Sequence, residues 1–426
     1  MPKYFGTDGI RGKSPEWLNE QMAYNIGYAL GHGLKAKKLL VGRDTRQSGV
    51  MLSKALIQGA LDTNVEVINL GIVSTPMLAY LTITEECFGA MLTASHNPYT
   101  DNGIKIIENG EKSSENQEEI LESYLFDTLS FEINDDIGVN HDLINRYRDD
   151  IEKLNFPKTN INIVLDTANG SLSNWAKDIL SKYSNIYTSI GDQPDGLNIN
   201  KDVGSTQIEA LVNSTPRGMI GFAFDGDGDR LMCVDEEGFV VTGDQILAIA
   251  AKYFDQKNIV FTQMLNPGIK SALATLNISS IETQVGDKYV TAAMHENNFM
   301  IGGENSGHLI FKNTWPLGDG IISALVVLKI LFETQSTLHE LSQKFKPFPE
   351  ILINFKGVDK TLLGKDDFKT QFEKISLKLV SEGKILLRPS GTESFLRLYA
   401  SHLDKDVLDQ FINESTQLFE SYGGSL

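Results

Sequence analysis

Three carboxylates alternate with two glycines in Asp225-Gly226-Asp227-Gly228-Asp229, and Arg230 follows at once. Glycine permits backbone angles closed to other residues, so such a loop can turn three oxygens toward one point. Carboxylate oxygens select hard cations, Mg2+ above all where a phosphate shares the site. A plain polar turn is the bland alternative. An EF-hand is the sharper one, because Glu236 falls at the twelfth position. Arg230, however, stands where that loop needs its glycine. The flanks, Gly221-Phe222-Ala223-Phe224 and Leu231-Met232-Cys233-Val234, also read as strands rather than helices.

A second segment, Thr93-Ala94-Ser95-His96-Asn97-Pro98, runs on to Asp101-Asn102-Gly103-Ile104-Lys105. A serine on a tight loop after an apolar strand is placed to act as a nucleophile. Adjacency of Ser95 and His96 does not make a hydrolase dyad, since neighbouring side chains rarely face each other, and there is no G-x-S-x-G elbow. On this segment alone a reactive serine and a loop-capping serine are equally open. The carboxylate loop favours the reactive one, because a phosphorylated serine would complete a metal site.

Arg388-Pro389-Ser390-Gly391-Thr392-Glu393-Ser394 offers a guanidinium, hydroxyls and a glycine that exposes backbone N–H groups. That is a phosphate cradle, or else an ordinary turn. Gly302-Gly303-Glu304-Asn305-Ser306-Gly307-His308 holds donors and acceptors on a Gly-rich loop, which suits a polyhydroxylated ligand; its alternative is a surface loop. Phe5-Gly6-Thr7-Asp8-Gly9-Ile10-Arg11-Gly12 is a further Gly-rich loop with an arginine, weak by itself.

Something must position these loops. Short apolar runs end abruptly in polar loops and give way to helical patterns: Leu39–Val41 into Gly42–Thr45, Gly89–Leu92 into Thr93–Pro98, Ile161–Leu165 into Asp166–Gly170, and Ile259–Phe261 into Thr262–Met264. This alternation predicts α/β layers. Ligands in such sheets bind at the carboxyl ends of strands, where these loops fall. Apolar spacing predicts helices over Trp17–Leu34 and Gly243–Phe254. No fixed-period sequence repeat is visible, although the strand–loop–helix unit recurs.

Boundaries are expected at 1–154, 155–240, 241–347 and 348–426. The polar stretch Glu108–Asn160, with helical segments near Ile120–Leu125 and Leu143–Leu154, leads into the second part; the turn Asp235–Gly238 precedes the third; Lys346-Pro347-Phe348-Pro349 is a linker. Beyond it the pattern becomes strand, helix, strand, strand, helix (Ile351–Phe355, Asp366–Leu379, Lys384–Leu387, Phe395–Ala400, Lys405–Tyr422), a small α+β module.

With 426 residues the chain has room for about three domains, two to four being compatible. Its 38 Lys+Arg against 56 Asp+Glu give a net charge of -18. So acidic a chain repels nucleic acid and anionic membrane, and neither is an expected partner. An anionic ligand would need arginine, lysine or a metal gathered locally. Two cysteines, Cys87 and Cys233, each in an apolar run, exclude a disulfide framework and a cysteine-only zinc site. The opening has no charged-then-apolar leader, and the apolar stretch Ile321–Leu331 is broken by Lys329 and too short to span a bilayer. A soluble, cytoplasmic protein is the expectation.

Together these segments resemble the α-D-phosphohexomutase superfamily over the whole chain, and within it the bacterial phosphoglucosamine mutases. Lys3–Gly12 has the form usual at their start. Ser95 matches the phosphoryl-carrying serine; Asp225, Asp227 and Asp229 match the Mg2+ ligands, with Arg230 in the same loop. Glu304, Ser306 and His308 match the sugar-contacting loop, in which Asn305 stands. Arg388, Ser390, Gly391 and Thr392 match the grip on the phosphate that is not transferred, and Lys105 matches a proton-transfer lysine. Val285-Gly286-Asp287-Lys288-Tyr289-Val290 is similar to a third-domain loop of the family.

The resemblance implies three similar α/β sandwich domains with mixed sheets plus a smaller C-terminal α+β domain. It implies interconversion of glucosamine 6-phosphate and glucosamine 1-phosphate, feeding UDP-N-acetylglucosamine and cell-wall precursors. Phospho-Ser95 and a glucosamine 1,6-bisphosphate intermediate would carry the phosphoryl group. One Mg2+ would be held by the three aspartates and the phosphoserine. Lys105 or His308 would relay a proton, His96 would orient the serine loop, and Arg11 would join the anion pocket. Departures stand at Asn305 (commonly Gln), Ser394 (Pro), Lys288 (Arg) and Leu265-Asn266-Pro267-Gly268, and bear on which sugar is accepted. A phosphomannomutase or phosphoglucomutase with the same chemistry is the alternative; a catalytically silent sugar-phosphate sensor and a metal-dependent phosphatase are more distant ones. The partner is a small sugar phosphate, and assembly into a homodimer stays open.

Overall fold

The computed structural model of the chain describes residues 2–6, 8–133, 138–358, 360–379, 381–389 and 395–425. In the first part, β1 (Phe5–Gly6), β2 (Gly9–Lys13), β3 (Lys38–Arg43), β4 (Glu66–Ile72), β5 (Phe88–Leu92) and β6 (Asp101–Glu108) lie in the order β1-β2-β6-β5-β3-β4, and β7 (Glu111–Lys112) pairs with β6. Helices α1 (Glu20–His32), α2 (Gln47–Leu61), α3 (Thr75–Glu85), α4 (Glu115–Tyr124) and α5 (His141–Lys153) accompany them. Next come β8 (Asn162–Asp166), α6 (Ala176–Leu180), β9 (Asn185–Ile190), α7 (Glu209–Ser214), β10 (Ile220–Phe224), β11 (Leu231–Val234) and β12 (Val240–Val241), ordered β12-β11-β10-β8-β9.

The third sheet, β14-β13-β15-β16, uses β13 (Asn258–Thr262), β14 (Ser279–Thr283), β15 (Ile301–Gly303) and β16 (Leu309–Phe311). It carries α8 (Gly243–Tyr253), α9 (Pro267–Thr275), α10 (Asp287–Asn297), α11 (Gly320–Thr334) and α12 (Leu338–Ser342). The last module has β17 (Glu350–Lys356), β18 (Gly383–Pro389) and β19 (Phe395–His402) in the antiparallel order β17-β19-β18, with α13 (Asp366–Ser376) and α14 (Lys405–Ser421).

One arrangement occurs three times. In β6-β5-β3-β4, β11-β10-β8-β9 and β16-β15-β13-β14, two strands run parallel to a central one and a fourth turns back antiparallel. The units begin at 38, 162 and 258 and differ in length, so a structural repeat leaves no sequence period. Strands β5 and β10, interior to their sheets, are covered on both faces, which is why Phe88–Leu92 and Ile220–Phe224 are buried throughout and read as continuous apolar runs. Helix α11 is buried over most of its length, so its apolar residues encircle it. Among the described residues no single helix is long and apolar enough to cross a membrane.

Helix ends are set by caps. The helix expected from Trp17 starts at Glu20, because Asn19 accepts the Met22 N–H while Trp17 and Leu18 donate back to the Lys13 carbonyl in the preceding turn. Ser114 with Gln117 and Thr242 with Gln245 form capping boxes that start α4 and α8. One core joins the three units: Leu40, Met77, Leu172, Phe224 and Ile321 belong to the same buried cluster. The C-terminal module has its own, around Phe355, Phe368, Leu396, Phe411 and Phe419.

Candidate active site

The loop that returns each unit's chain from its third strand to its antiparallel fourth lies at equivalent positions of the three sheets. These loops hold Ser95 (β5 to β6), Asp225–Arg230 (β10 to β11) and Glu304–His308 (β15 to β16). The topology therefore brings together groups far apart in sequence. Ser95 Oγ donates to Asp225 Oδ2 at 2.6 Å. Arg230 and His308 form an antiparallel bridge, and the Leu231 N–H donates to the Gly307 carbonyl at 2.8 Å.

Ser95 is buried and adopts a left-handed backbone, φ +51°. Its N–H donates to Thr93 Oγ1 at 2.9 Å. Its carbonyl accepts from Arg46 Nη2 at 3.2 Å and Asn200 Nδ2 at 2.8 Å. His96 Nδ1 comes to 3.4 Å from Ser95 Oγ, against the expectation that the adjacent side chains would not meet; the left-handed turn at Ser95 allows it. Burial, with Arg230 and Arg11 nearby, pushes the His96 imidazole down to about 3, so it is neutral near pH 7.

Asp225, Asp227 and Asp229 are buried, and a carboxylate oxygen from each lies within 4.8 Å of the others. Gly228 uses a positive φ of +77° in this loop. Gly226 is required for another reason: a Cβ there would lie 2.5 Å from the Ser95 carbonyl oxygen. Thr75 Oγ1 donates to Asp227 Oδ2 at 2.6 Å, and the Thr75 N–H to the Asp227 carbonyl at 2.9 Å. Asp227 Oδ1 and Asp229 Oδ1 are buried without a hydrogen-bond partner among the described residues. Converging buried oxygens with unused lone pairs fit a hard cation, so the residues present can hold a metal.

Lys105 Nζ is buried 2.7 Å from Asp227, 2.9 Å from Asp8 and 3.7 Å from Asp229. Burial opposes its charge, but the three aspartates outweigh that and hold its pKa above the usual lysine value. The Asp227 carboxyl, likewise opposed by burial, is held below its usual range by Lys105. Asp225 moves the other way: burial and then the neighbouring Asp229 and Asp227 charges push it well up. Asp8 ties in further cations. It pairs with Arg11, and with Lys112 at 2.5 Å, and Lys112 reaches Asp287 at 2.7 Å. Burial resists the charge on His308 too, yet Asp229, Asp287 and Glu304 raise it to about 9.

Glu304 is buried, and its Oε1 accepts the Gly286 N–H at 2.9 Å. Asn305 contributes its carbonyl to the Gly243 N–H at 3.0 Å, and Ser306 is exposed. Among the described residues neither side chain makes a hydrogen bond. Arg388 stands directly opposite Arg397 on the neighbouring strand. Burial and then Arg397 lower the Arg388 pKa, with Glu304 opposing. Like charges in that register repel, and an anion between them would relieve it. Ser390, Gly391 and Thr392 lie outside the described residues.

Several participants escaped the sequence reading. Asp8 and Asp287 sit in Gly-containing motifs, Phe5–Gly12 and Val285–Val290, where neither carries a signal of its own. Arg46 directly follows the polar loop Gly42–Thr45 after an apolar strand and has the look of a surface cation, and Arg397 looks like an ordinary alternating strand position. Lys112, Thr75 and Asn200 carried no local signal. A separate groove of about 850 Å3, lined by Ser14, Gln47, Val50, Tyr99 and Leu197 among others, includes none of the site residues above.

Sequence comparison agrees with this architecture. Profiles of phosphoglucomutase/phosphomannomutase α/β/α domains I, II and III match residues 2–130, 145–238 and 242–348. The chain is 40% identical over 447 residues to the phosphoglucosamine mutase of Bacillus pumilus, covering 100% of both. A phosphoglucomutase/phosphomannomutase family protein from Burkholderia thailandensis superposes with a TM-score of 0.78 at 21% identity, over 99% of this chain and 98% of that one. An Aspergillus fumigatus N-acetylphosphoglucosamine mutase, determined in complex with GlcNAc-6P and magnesium, gives 0.69 at 16% identity, over 99% and 95%. By full-length identity and by three consecutive domain matches, the chain belongs to the phosphoglucomutase/phosphomannomutase family of phosphohexomutases.

Proposed function

We propose that the chain is a phosphoglucosamine mutase that interconverts glucosamine 6-phosphate and glucosamine 1-phosphate through a phosphoserine at Ser95. The observation that carries this is the 2.6 Å approach of Ser95 Oγ to Asp225 inside a buried cluster of three aspartates. The full-length identity to curated phosphoglucosamine mutases selects the amino sugar over the glucose and mannose phosphates of other members.

In this reading the sugar O1 attacks the phosphorus of phospho-Ser95, the Ser95 Oγ–P bond breaks, and a 1,6-bisphosphate forms. After the sugar reverses within the cleft, Ser95 Oγ attacks the phosphorus on O6 and the O6–P bond breaks. Each hydroxyl that attacks gives up a proton and each oxygen that leaves regains one. Lys105 or His308, which lie beside Asp227 and Asp229 and carry a proton there, would give that proton to the oxygen that leaves and recover one from the hydroxyl that attacks. Arg388 and Arg397, with Ser390, Gly391 and Thr392, grip the phosphate that stays. Arg11 and Arg230 add positive charge, while Glu304, Asn305 and Ser306 meet the sugar. Asp225, Asp227, Asp229 and a phosphoserine oxygen would hold one Mg2+, which when bound neutralises charge on the transferring group. A local basic pocket in this way answers a chain charge of -18.

The test is incubation with the 6-phosphates of glucosamine, glucose and mannose, with and without catalytic bisphosphate, followed by product analysis. Glucosamine 1-phosphate should form fastest, and Ser95→Ala should lose both turnover and the phosphorylated species seen by intact mass. Equal or faster turnover of glucose or mannose 6-phosphate moves the assignment to the other hexomutases. Net release of inorganic phosphate indicates a phosphatase, and near-normal turnover by Ser95→Ala refutes the chemistry.

A further inference from the structure

The serine loop is held from behind by side chains with no part in the mechanism above. Arg46 is fully buried. Its guanidinium pairs with Asp44 and donates through Nη2 to the Ser95 carbonyl at 3.2 Å and the Asn97 carbonyl at 2.5 Å. Asn200, from the second α/β unit, donates through Nδ2 to the same two carbonyls at 2.8 and 3.0 Å. Two donors from different units thus converge on two carbonyls that bracket His96. The segments carrying them are themselves tied: the Asn200 N–H donates to the Ala168 carbonyl at 2.8 Å, the Gln47 N–H to the Gly196 carbonyl at 3.0 Å, and Thr45 Oγ1 to the Asn169 carbonyl at 2.6 Å.

Ser95 needs such a clamp. A non-glycine residue at positive φ is strained and persists only where its surroundings over-determine it. Its hydroxyl must meet Asp225, which belongs to the unit that also supplies Asn200. Meanwhile the first unit's Thr75 and Lys105 grip Asp227 of the second. Each unit therefore fixes the reactive loop of the other. A loop that loses a phosphoryl group and regains one in every turnover must return to one geometry each time, and small misplacements of a reacting atom are costly.

Resting on the phosphoserine reading, we propose that Arg46 and Asn200 are positioning residues that set the aim of Ser95 for phosphoryl transfer without contributing to the sugar-phosphate grip. The sugar and the retained phosphate are met by other elements, the Glu304 loop and the Arg388 strand, so the effect falls on the transfer step.

The test uses the full-length protein as Asn200→Asp, Asn200→Ala and Arg46→Lys. Asn200→Asp keeps size but cannot donate; Arg46→Lys keeps the charge beside Asp44 but lacks the planar fork. Phosphorylated enzyme is chased with glucosamine 1-phosphate in a single turnover, alongside steady-state kcat and KM and a thermal melt. The transfer rate should fall by tenfold or more, toward about 10²-fold, with KM nearly unchanged. Arg46→Lys should not rescue it. An unchanged transfer rate in folded Asn200→Asp, a rise in KM with kcat intact, or losses matching the unfolded fraction would overturn the proposal. If Arg46→Lys fails to fold, the two Asn200 variants decide. Wild-type phosphoenzyme that hands no phosphoryl group from Ser95 to the sugar removes the phosphoserine reading itself; wild type that does, beside an equally fast Asn200→Asp, removes only the clamp.

Discussion

Ser95 Oγ and Asp225 Oδ2 lie 2.6 Å apart although 130 positions separate them in the chain. Two of the three returning loops, at equivalent places in repeated units, make this contact, and Gly226 keeps room for it. The hydroxyl that would carry the phosphoryl group already touches the cluster that would hold the metal. Asp225, pushed well up by burial and its acidic neighbours, is relieved by the hydroxyl's hydrogen bond. A cation would relieve it further.

Lys105 is the counter-ion of the acidic cluster in the arrangement described, which gives the first prediction. Lys105→Met leaves the buried Asp227 without its ammonium, while the half-buried Asp8 keeps Arg11 and Lys112. Removing one partner of a buried ion pair costs roughly 3–5 kcal/mol. Mg2+ binding to the vacated carboxylates should return part of it. The melting temperature should drop in metal-free buffer, and Mg2+ should raise it more in the variant than in wild type. Equal Mg2+ responses would separate Lys105 from the metal cluster.

Arg388 and Arg397 give the second. Their direct opposition across β18 and β19 is unfavourable without an anion. Arg388→Ala should therefore leave the melting temperature unchanged or slightly raised. Losing a charge-assisted contact to phosphate should cost about 1.5–3 kcal/mol of binding, for sugar phosphate and bisphosphate alike. Calorimetric titration of both ligands checks it. A variant weakened only in Mg2+ affinity would show that this strand pair faces something other than phosphate.

Asp319, behind the aspartate loop but not one of its three carboxylates, gives a pH prediction: the next residue, Gly320, donates its N–H to the Gly228 carbonyl at 3.1 Å. Its Oδ1 caps α11 by accepting the Ile321 and Ile322 N–H groups at 2.9 and 3.2 Å, and Oδ2 accepts the Tyr147 hydroxyl at 2.7 Å. Burial nonetheless pushes its carboxyl up to about 6. An acid raised above its unfolded value of roughly 3.9 binds more protons in the native state between those pH values. Its contribution is therefore present at low pH and lost as pH rises through about 6. The two-unit gap corresponds to about 3 kcal/mol at most. Asn can keep the cap through Oδ1 and donate to the tyrosine oxygen, so Asp319→Asn should flatten denaturant stability between pH 4 and 6 and match or exceed wild type above it. Parallel curves for the two proteins would refute the assignment.

Which parts of this were legible in the sequence follows from where each residue finds its partners. The central strands show because both faces are covered and the apolar run is unbroken. The metal loop shows because all three of its carboxylates lie within five positions. Ser95 was ambiguous alone, since its distinguishing contacts, Asp225 and Asn200, are 130 and 105 positions away. Arg46 and Lys112 look like surface cations until the fold buries the first and bridges the second between Asp8 and Asp287. Arg397 hides in a regular strand and becomes distinctive only once register sets it against Arg388.

Gly226 supplies the last prediction, because here the close approach of two loops is a matter of one atom. A Cβ at this position would stand 2.5 Å from the Ser95 carbonyl oxygen, 2.9 Å from Asn200 Nδ2 and 2.9 Å from Ile199 Cδ1. The first neighbour is backbone and cannot swing aside. The second is the amide that holds that same carbonyl. Gly226→Ala must therefore move the serine loop away from the aspartates or break the Asn200 contact. Overpacking of this kind costs typically 1–3 kcal/mol, which a chain of this size should survive folded. The larger effect should be on the reaction, since displacing a reacting atom by about 1 Å can cost on the order of 10²-fold. Sugar phosphate should bind Gly226→Ala about as well as wild type, because Glu304 and Arg388 lie on other elements. Gly228→Ala makes an informative companion. Its strain comes from a positive φ of +77° and from Leu172 and Ser74 side chains rather than from the Ser95 carbonyl, so it should lower stability more than it disturbs Ser95. The measurement is kcat, KM and melting temperature for both variants. If Gly226→Ala turned over at the wild-type rate, the two loops would not need the contact from which this site was built.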